Sequence, residues 1–162
     1  MVTLPQKHYL AGLVWCALLG VAYLVMDSQI KPKVTKVSGT ANEVVVPRSR
    51  DGHFYVAGKI SGQPVTFMVD TGASSVSVGR TVAARIGLPS GRTVMVGTAN
   101  GSTTAKEVTG QTVSLGGIVI QNVRVVILPN MDGEALLGQN VLRHMEVRQT
   151  QEQMVLSLRA GA

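Results

Sequence analysis

Cysteine is almost absent from this sequence: Cys16 is the only one in 162 residues. One cysteine closes no intrachain disulfide and builds no cysteine-based metal cluster, so the fold must be held by its core. Cys16 lies inside an apolar run, where it reads as a small buried or lipid-facing side chain. Aromatic residues are scarce as well, at 4%. So few rings offer few platforms for stacked bases, and the basic residues come one at a time. From Val44 onward, eleven Lys or Arg stand among seven Asp or Glu. The net charge of +6 therefore reads as a solvated surface, and no nucleic-acid partner is expected. His53 and His144 stand at no ligand spacing from another His or Cys, so neither a metal nor another cofactor is expected.

What the sequence does contain is apolar and glycine-rich, with 45% hydrophobic residues and 18 glycines. Residues 9–26 read YLAGLVWCALLGVAYLVM, uncharged throughout. At 1.5 Å per residue such a run reaches roughly across a hydrocarbon core, so a transmembrane helix is expected there, behind a tail at 1–8. A cleaved signal peptide is the competing reading, but no small-residue cleavage pattern follows Met26. Lys31, Lys33 and Lys36 follow the run, which by the positive-inside rule argues for a cytoplasmic domain. So short an amino-terminal tail argues the other way. The working expectation is a single-pass protein of the inner (plasma) membrane with a periplasmic or extracytoplasmic domain. Residues 27–42 are polar, are broken by Pro32 and Gly39, and read as a flexible linker.

The folded domain is expected over 43–162, as a mainly β structure with one or two short helices. Strands are expected at 43–47, 53–60 and 64–70, with Ser61-Gly62-Gln63 turning the last two into a hairpin. A short helix is expected over Arg80–Ile86, stopped by Gly87. Further strands are expected near 92–97, 102–115 and 118–128, turned at Asn100-Gly101 and Gly116-Gly117. Glu134–Leu137 reads as a buried strand, Asn140–Met145 as a helix, and Met154–Leu158 as a last strand. Together these suggest a small closed or partly closed β-barrel.

The chemistry is concentrated where the apolar strand ending at Val69 runs into Asp70-Thr71-Gly72-Ala73-Ser74. A carboxylate at the end of such a strand needs donors. Thr71 and Ser74 offer hydroxyls, and Gly72 lets a backbone N–H approach the acid. On the tripeptide alone, an ordinary Asp turn is the more economical reading.

The wider pattern resembles the retropepsin-like aspartic peptidases, and in particular their membrane-anchored, single-motif bacterial members. Two apolar residues precede Asp-Thr-Gly-Ala-Ser, a short helix and a hairpin follow, and Ala135-Leu136-Leu137-Gly138 comes later. Gly52-His53-Phe54 and Thr98-Ala99-Asn100-Gly101 also look like that group. The resemblance implies an acid-protease-like barrel, with Asp70 as the catalytic carboxylate and Thr71 and Gly72 completing its loop. It also implies Leu136, Leu137 and Gly138 crossing beneath that loop as its support. Ala73 and Ser74, with Thr98, Ala99, Asn100 and Gly101 of a hairpin flap, become the substrate contacts. No second Asp-Thr/Ser-Gly exists, because Asp51-Gly52 and Asp132-Gly133 lack the hydroxyl residue between. One chain therefore offers half a dyad, and a homodimer acting on a polypeptide substrate is expected.

The function expected on this basis is a membrane-anchored aspartic endopeptidase, with the exposed linker as a candidate site of self-release. Two other classes compete with it: a catalytically silent dimerisation or peptide-binding module of the same fold, and a plain anchored β scaffold.

Overall fold

A computed structural model describes residues 6–30, 42–98 and 101–159. The chain divides into two compact units, Met1–Pro32 and Lys33–Ala162. The first holds one helix, α1 (Gln6–Ile30), longer at both ends than the apolar run. Its described side chains, 12–26, are exposed, among them Leu13, Trp15 and Tyr23. Among the described residues no helix is long and apolar enough to cross a membrane, so the span expected over 9–26 is not shown.

The second unit is mainly β. Its elements are β1 (Glu43–Pro47), β2 (Tyr55–Ile60), β3 (Gln63–Val69), β4 (Val76–Gly79), α2 (Arg80–Arg85), β5 (Arg92–Thr98) and β6 (Gly101–Leu115). They continue with β7 (Ile118–Leu128), β8 (Ala135–Leu137), α3 (Gln139–Leu142), β9 (Met145–Gln149) and β10 (Gln153–Leu158). Seven strands pair in the order β2-β3-β8-β4-β7-β6-β5, and a further β2–β6 pairing closes the first six into a barrel. Closure removes sheet edges that would otherwise be open to other chains. β5 is left outside the ring, as one arm of a hairpin with the outer part of β6. A separate sheet of order β1-β10-β9 completes the domain.

Local chemistry explains most of these elements. The β2–β3 hairpin turns on Ser61 and Gly62, both at positive φ (46° and 85°), with Ile60 paired to Gln63. Two left-handed turn residues match the right-handed twist of the flanking strands. β6 is long enough to serve both barrel and hairpin because it is irregular: its register with β7 shifts between Val108 and Val113. Phe67, Ile60, Leu115, Ile118 and Leu137 fill the core beside Val44, Met154 and Leu156 of the second sheet, each at most 3% exposed. Burying each large apolar side chain stabilises the fold by about 1.5–3 kcal/mol.

Three expectations are corrected. Val76–Gly79, unassigned in the sequence, is a fully buried strand. The helix expected over Asn140–Met145 is a single turn, Gln139–Leu142, and Met145 instead opens β9. The strand expected to run through Asp70 stops at Val69, which leaves Asp70 in the turn.

Candidate active site

Asp70 stands where the chain leaves the barrel, and neighbours on both sides fix its backbone. The Val69 N–H donates to the Phe54 carbonyl at 2.9 Å, and the Asp70 N–H donates to the Leu137 carbonyl at 3.1 Å. The second bond continues the parallel β3–β8 ladder, in which Val69 faces Leu137. The chain then turns back, with the Ala73 N–H donating to the Asp70 carbonyl at 3.3 Å. Gly72 N–H donates to Asp70 Oδ1 at 2.9 Å. The half-buried carboxylate thus receives the backbone donor that its turn was expected to supply.

The segment after β8 clasps this loop from beneath. Gln139 N–H donates to the Ala73 carbonyl at 2.8 Å, and Asn140 N–H to the Ser74 carbonyl at 3.2 Å. Gln139 Nε2 reaches the Thr71 carbonyl at 2.9 Å. The Asn140 side chain works both ways, accepting from Val76 N–H at 2.9 Å and donating to the Arg124 carbonyl at 2.7 Å. Gly138 is the point of closest approach. A Cβ there would lie 2.4 Å from the Ser75 carbonyl oxygen and 2.7 Å from that of Ala73.

Above the loop is an open cleft of about 860 Å³. Asp70, Gly72, Ala73 and Ser74 line it from the loop, Leu136 from β8, and Val94 to Thr98 from the β5–β6 hairpin. Thr71 and Gly101 are not among its lining residues. Gly101 instead pairs with Thr98 at the end of the hairpin, and Thr98 Oγ1 donates to its carbonyl at 2.8 Å. Ala99 and Asn100 lie outside the described residues. Leu137 is fully buried, whereas Leu136, paired with Met68 of β3 and Ser77 of β4, reaches the cleft. No group of residues suited to hold a metal ion occurs among the described residues.

Sequence reasoning missed several contributors. Gln139 and Asn140 follow directly after the supporting segment, and their amides were the available signal. Ser75, Glu107 and Arg124, which also line the cleft, carried none, because a serine in a turn and charged residues in alternating strands read as solvent-facing.

A second polar cluster stiffens the chain just before β2. Tyr55 donates its hydroxyl to Asp51 Oδ2 at 2.6 Å, and His53 N–H donates to Asp51 Oδ1 at 3.0 Å. The Tyr55 bond, more than any other contact, holds the Asp51 carboxyl below its ordinary value. Burial, then the Asp51 bond and the charges of Asp51 and Glu134, push the Tyr55 phenol up to about 12. The signs define a window. Asp51 contributes stability above about pH 4 that is lost as pH falls through its depressed pKa. Tyr55 contributes stability below about pH 10 that is lost as pH rises towards 12. Tyr55→Phe is therefore expected to destabilise the fold by about 1 kcal/mol at neutral pH, a modest figure because Asp51 is half exposed. Urea unfolding of both proteins should show this difference shrinking below about pH 4 as Asp51 protonates.

The geometry agrees with what comparison shows. A family model described as "gag-polyprotein putative aspartyl protease" matches residues 56–144, a stretch that includes the loop, the hairpin and the supporting glycine. The chain belongs to the retropepsin-like aspartic protease family. A crystal structure of a retropepsin-like aspartic protease from Rickettsia conorii superposes with a TM-score of 0.62 at 25% identity, covering 77% of this chain and 96% of that one. Among curated proteins, an uncharacterized protein in the cobV 5′ region of Sinorhizobium sp is 33% identical over 112 residues, 66% of this chain and 48% of its own. The uncharacterized protein RP867 of Rickettsia prowazekii is 32% identical over 117 residues, 68% of this chain and 49% of its own. The chain spans about half the length of these curated relatives. The acid-protease-like barrel expected from the sequence is thus the fold of this retropepsin-like domain.

Proposed function

We propose that this protein is an aspartic endopeptidase that becomes complete when two chains place their Asp70 loops on a common twofold axis. The observation that carries the proposal is the setting of Asp70: a half-buried carboxylate at the floor of a peptide-sized cleft, on a loop fixed by β8 and α3. Glu107, the other carboxylate lining this cleft, has its oxygens engaged by arginines. A second free acid must therefore come from another chain. Two aspartates at close range share one proton, because both cannot ionise. The ionised member takes a proton from a water as that water attacks the peptide carbonyl, and the protonated member donates to the developing oxyanion. Thr71 and Gly72 hold the loop against its mate, and the substrate lies extended under the β5–β6 hairpin, with Ala73, Ser74 and the hairpin's backbone as its contacts.

The uncharged run over 9–26 and the exposed apolar side chains of α1 support anchoring to a membrane, and the short amino-terminal tail argues for the domain on its outer side. The segment between helix and barrel is then a candidate for self-release. Full-length protein alone on a blot under all growth conditions would end that addition.

The reading is tested by incubating the full chain, in detergent, with a mixed peptide library across pH. Cleavage is expected, with a rate that peaks in the acidic range where one proton is shared and falls on both sides. A rate rising steadily into the alkaline range, or no cleavage by a demonstrably dimeric protein, would overturn it. The second outcome would favour a silent peptide-binding module.

A further inference from the structure

One wall of the cleft carries a charged cluster that the chemistry at Asp70 does not use. Glu107 on β6 has only 5% of its side chain exposed. Its Oε1 accepts from Arg92 Nε at 2.7 Å, across the β5–β6 ladder in which the two residues face each other. Its Oε2 lies 3.5 Å from Arg124 Nη1. Arg124, on β7, also donates through Nη2 to Ser75 Oγ at 2.9 Å, five residues along the chain from Asp70. Gly91 permits the close approach of the strands, since a Cβ there would sit 2.2 Å from the Glu107 carbonyl oxygen.

Two arginines against one carboxylate leave the cluster net positive. Arg124 is the member poised to use that charge. Its side chain is 48% exposed, and it lines both the cleft above Asp70 and a second polar cleft of about 490 Å³ that also holds Arg143 and His144. A guanidinium held at two of its nitrogens is already ordered and still offers donors to a planar acceptor. Such a group loses little entropy on engaging a carboxylate and forms the stronger, charge-assisted kind of hydrogen bond.

We propose that Arg124 is a specificity-determining residue that takes an acidic side chain, Glu or Asp, of the substrate polypeptide, and that Arg143 extends the preference to the next position outward. The inference rests on the peptidase reading for its biological use. In a twofold dimer the same wall stands at both ends of the cleft, so the preference appears symmetrically about the scissile bond.

The test uses labelled peptide pairs that differ by Glu or Gln at one position at a time. Binding is measured to the full-length Asp70→Asn protein in detergent, and cleavage is measured with the unaltered protein. The Glu peptide is expected to bind about tenfold tighter at the position Arg124 reads, with the ratio falling towards one in Arg124→Gln and in high salt. Arg143→Gln should reduce the ratio only one position further out. Glu107→Gln keeps an acceptor for Arg92 but removes the neutralising charge, so it should raise the ratio a few-fold. Equal binding of Glu and Gln peptides at every position, or a preference unchanged in Arg124→Gln, would overturn the proposal. If Arg124→Gln does not fold, the opposite shifts in the other two variants decide, and their absence refutes it. Acid-selective, Arg124-dependent binding without any cleavage would sustain this inference and sink the peptidase. Asp70-dependent cleavage without acid selection would do the reverse.

Discussion

Asp70→Asn is expected to lower peptide cleavage by about a thousandfold or more while leaving the barrel and its self-association intact. The amide has nearly the carboxylate's shape, so its oxygen still accepts the Gly72 N–H. What it cannot do is ionise, and a pair of amides can neither draw a proton from water nor share one. Mixing the variant with unaltered chains sharpens the result. If each active unit needs two Asp70 side chains, an equal mixture that exchanges freely retains about a quarter of the activity expected were every dimer unaltered. If one chain suffices, about half survives. Sedimentation of both proteins checks that the substitution has not changed the state of association. Equal cleavage by the two proteins would remove Asp70 from the chemistry altogether.

Gly138→Ala is expected to be as damaging by a different route. The added methyl would meet the Ser75 carbonyl oxygen at 2.4 Å, the Ser75 carbonyl carbon at 2.6 Å and the Ala73 oxygen at 2.7 Å. All three are backbone atoms, so no side chain can swing aside. Either the loop lifts from α3 or β8 slides away from β3, at a cost of about 1–3 kcal/mol or more. Both movements break the bond from Gln139 N–H to the Ala73 carbonyl, and Asp70 loses its fixed position. Activity should fall steeply even in the fraction that stays folded, because misplacement of a catalytic group by about 1 Å can cost a hundredfold. Gly97→Ala is the control for stability, since nothing lies within 4 Å of a Cβ there. Thermal unfolding of the pair should separate them clearly. A Gly138→Ala protein as stable and active as the original would show that the loop rests on something else.

The contrast between these two glycines also marks what the sequence could reveal. Alternation and turn chemistry announced the β2–β3 hairpin, the long β6–β7 pair and the short supporting strand, because their side chains sort by face. β4 escaped because all its residues are buried, and a strand of four with no exposed face has no period to detect. The helix of α3 was carried on to Met145 because Val141, Leu142 and Met145 fall near helical spacing, and the rest of β9 went unassigned, because only the return of the chain to pair with β10 shows that a strand has begun. The Asp70 turn was visible as a motif. Its anchoring by Gln139 and Asn140, and the burial of Glu107 between Arg92 and Arg124, arise from contacts between residues far apart in sequence. Beyond the two amides that follow Gly138, no local pattern records these.

The pairing of β3 with β8 brings a consequence for the timing of synthesis. A chain emerging from the ribosome presents Asp70 well before Leu137, whose carbonyl receives the Asp70 N–H, and before Gly138, on which the turn rests. Contacts of such large sequence separation form late, after the cost of closing the intervening chain has been met. The nascent protein therefore carries its aspartate in a slack loop through much of translation. Asp70 gains its fixed position only once the later segment has followed and folded back against the turn.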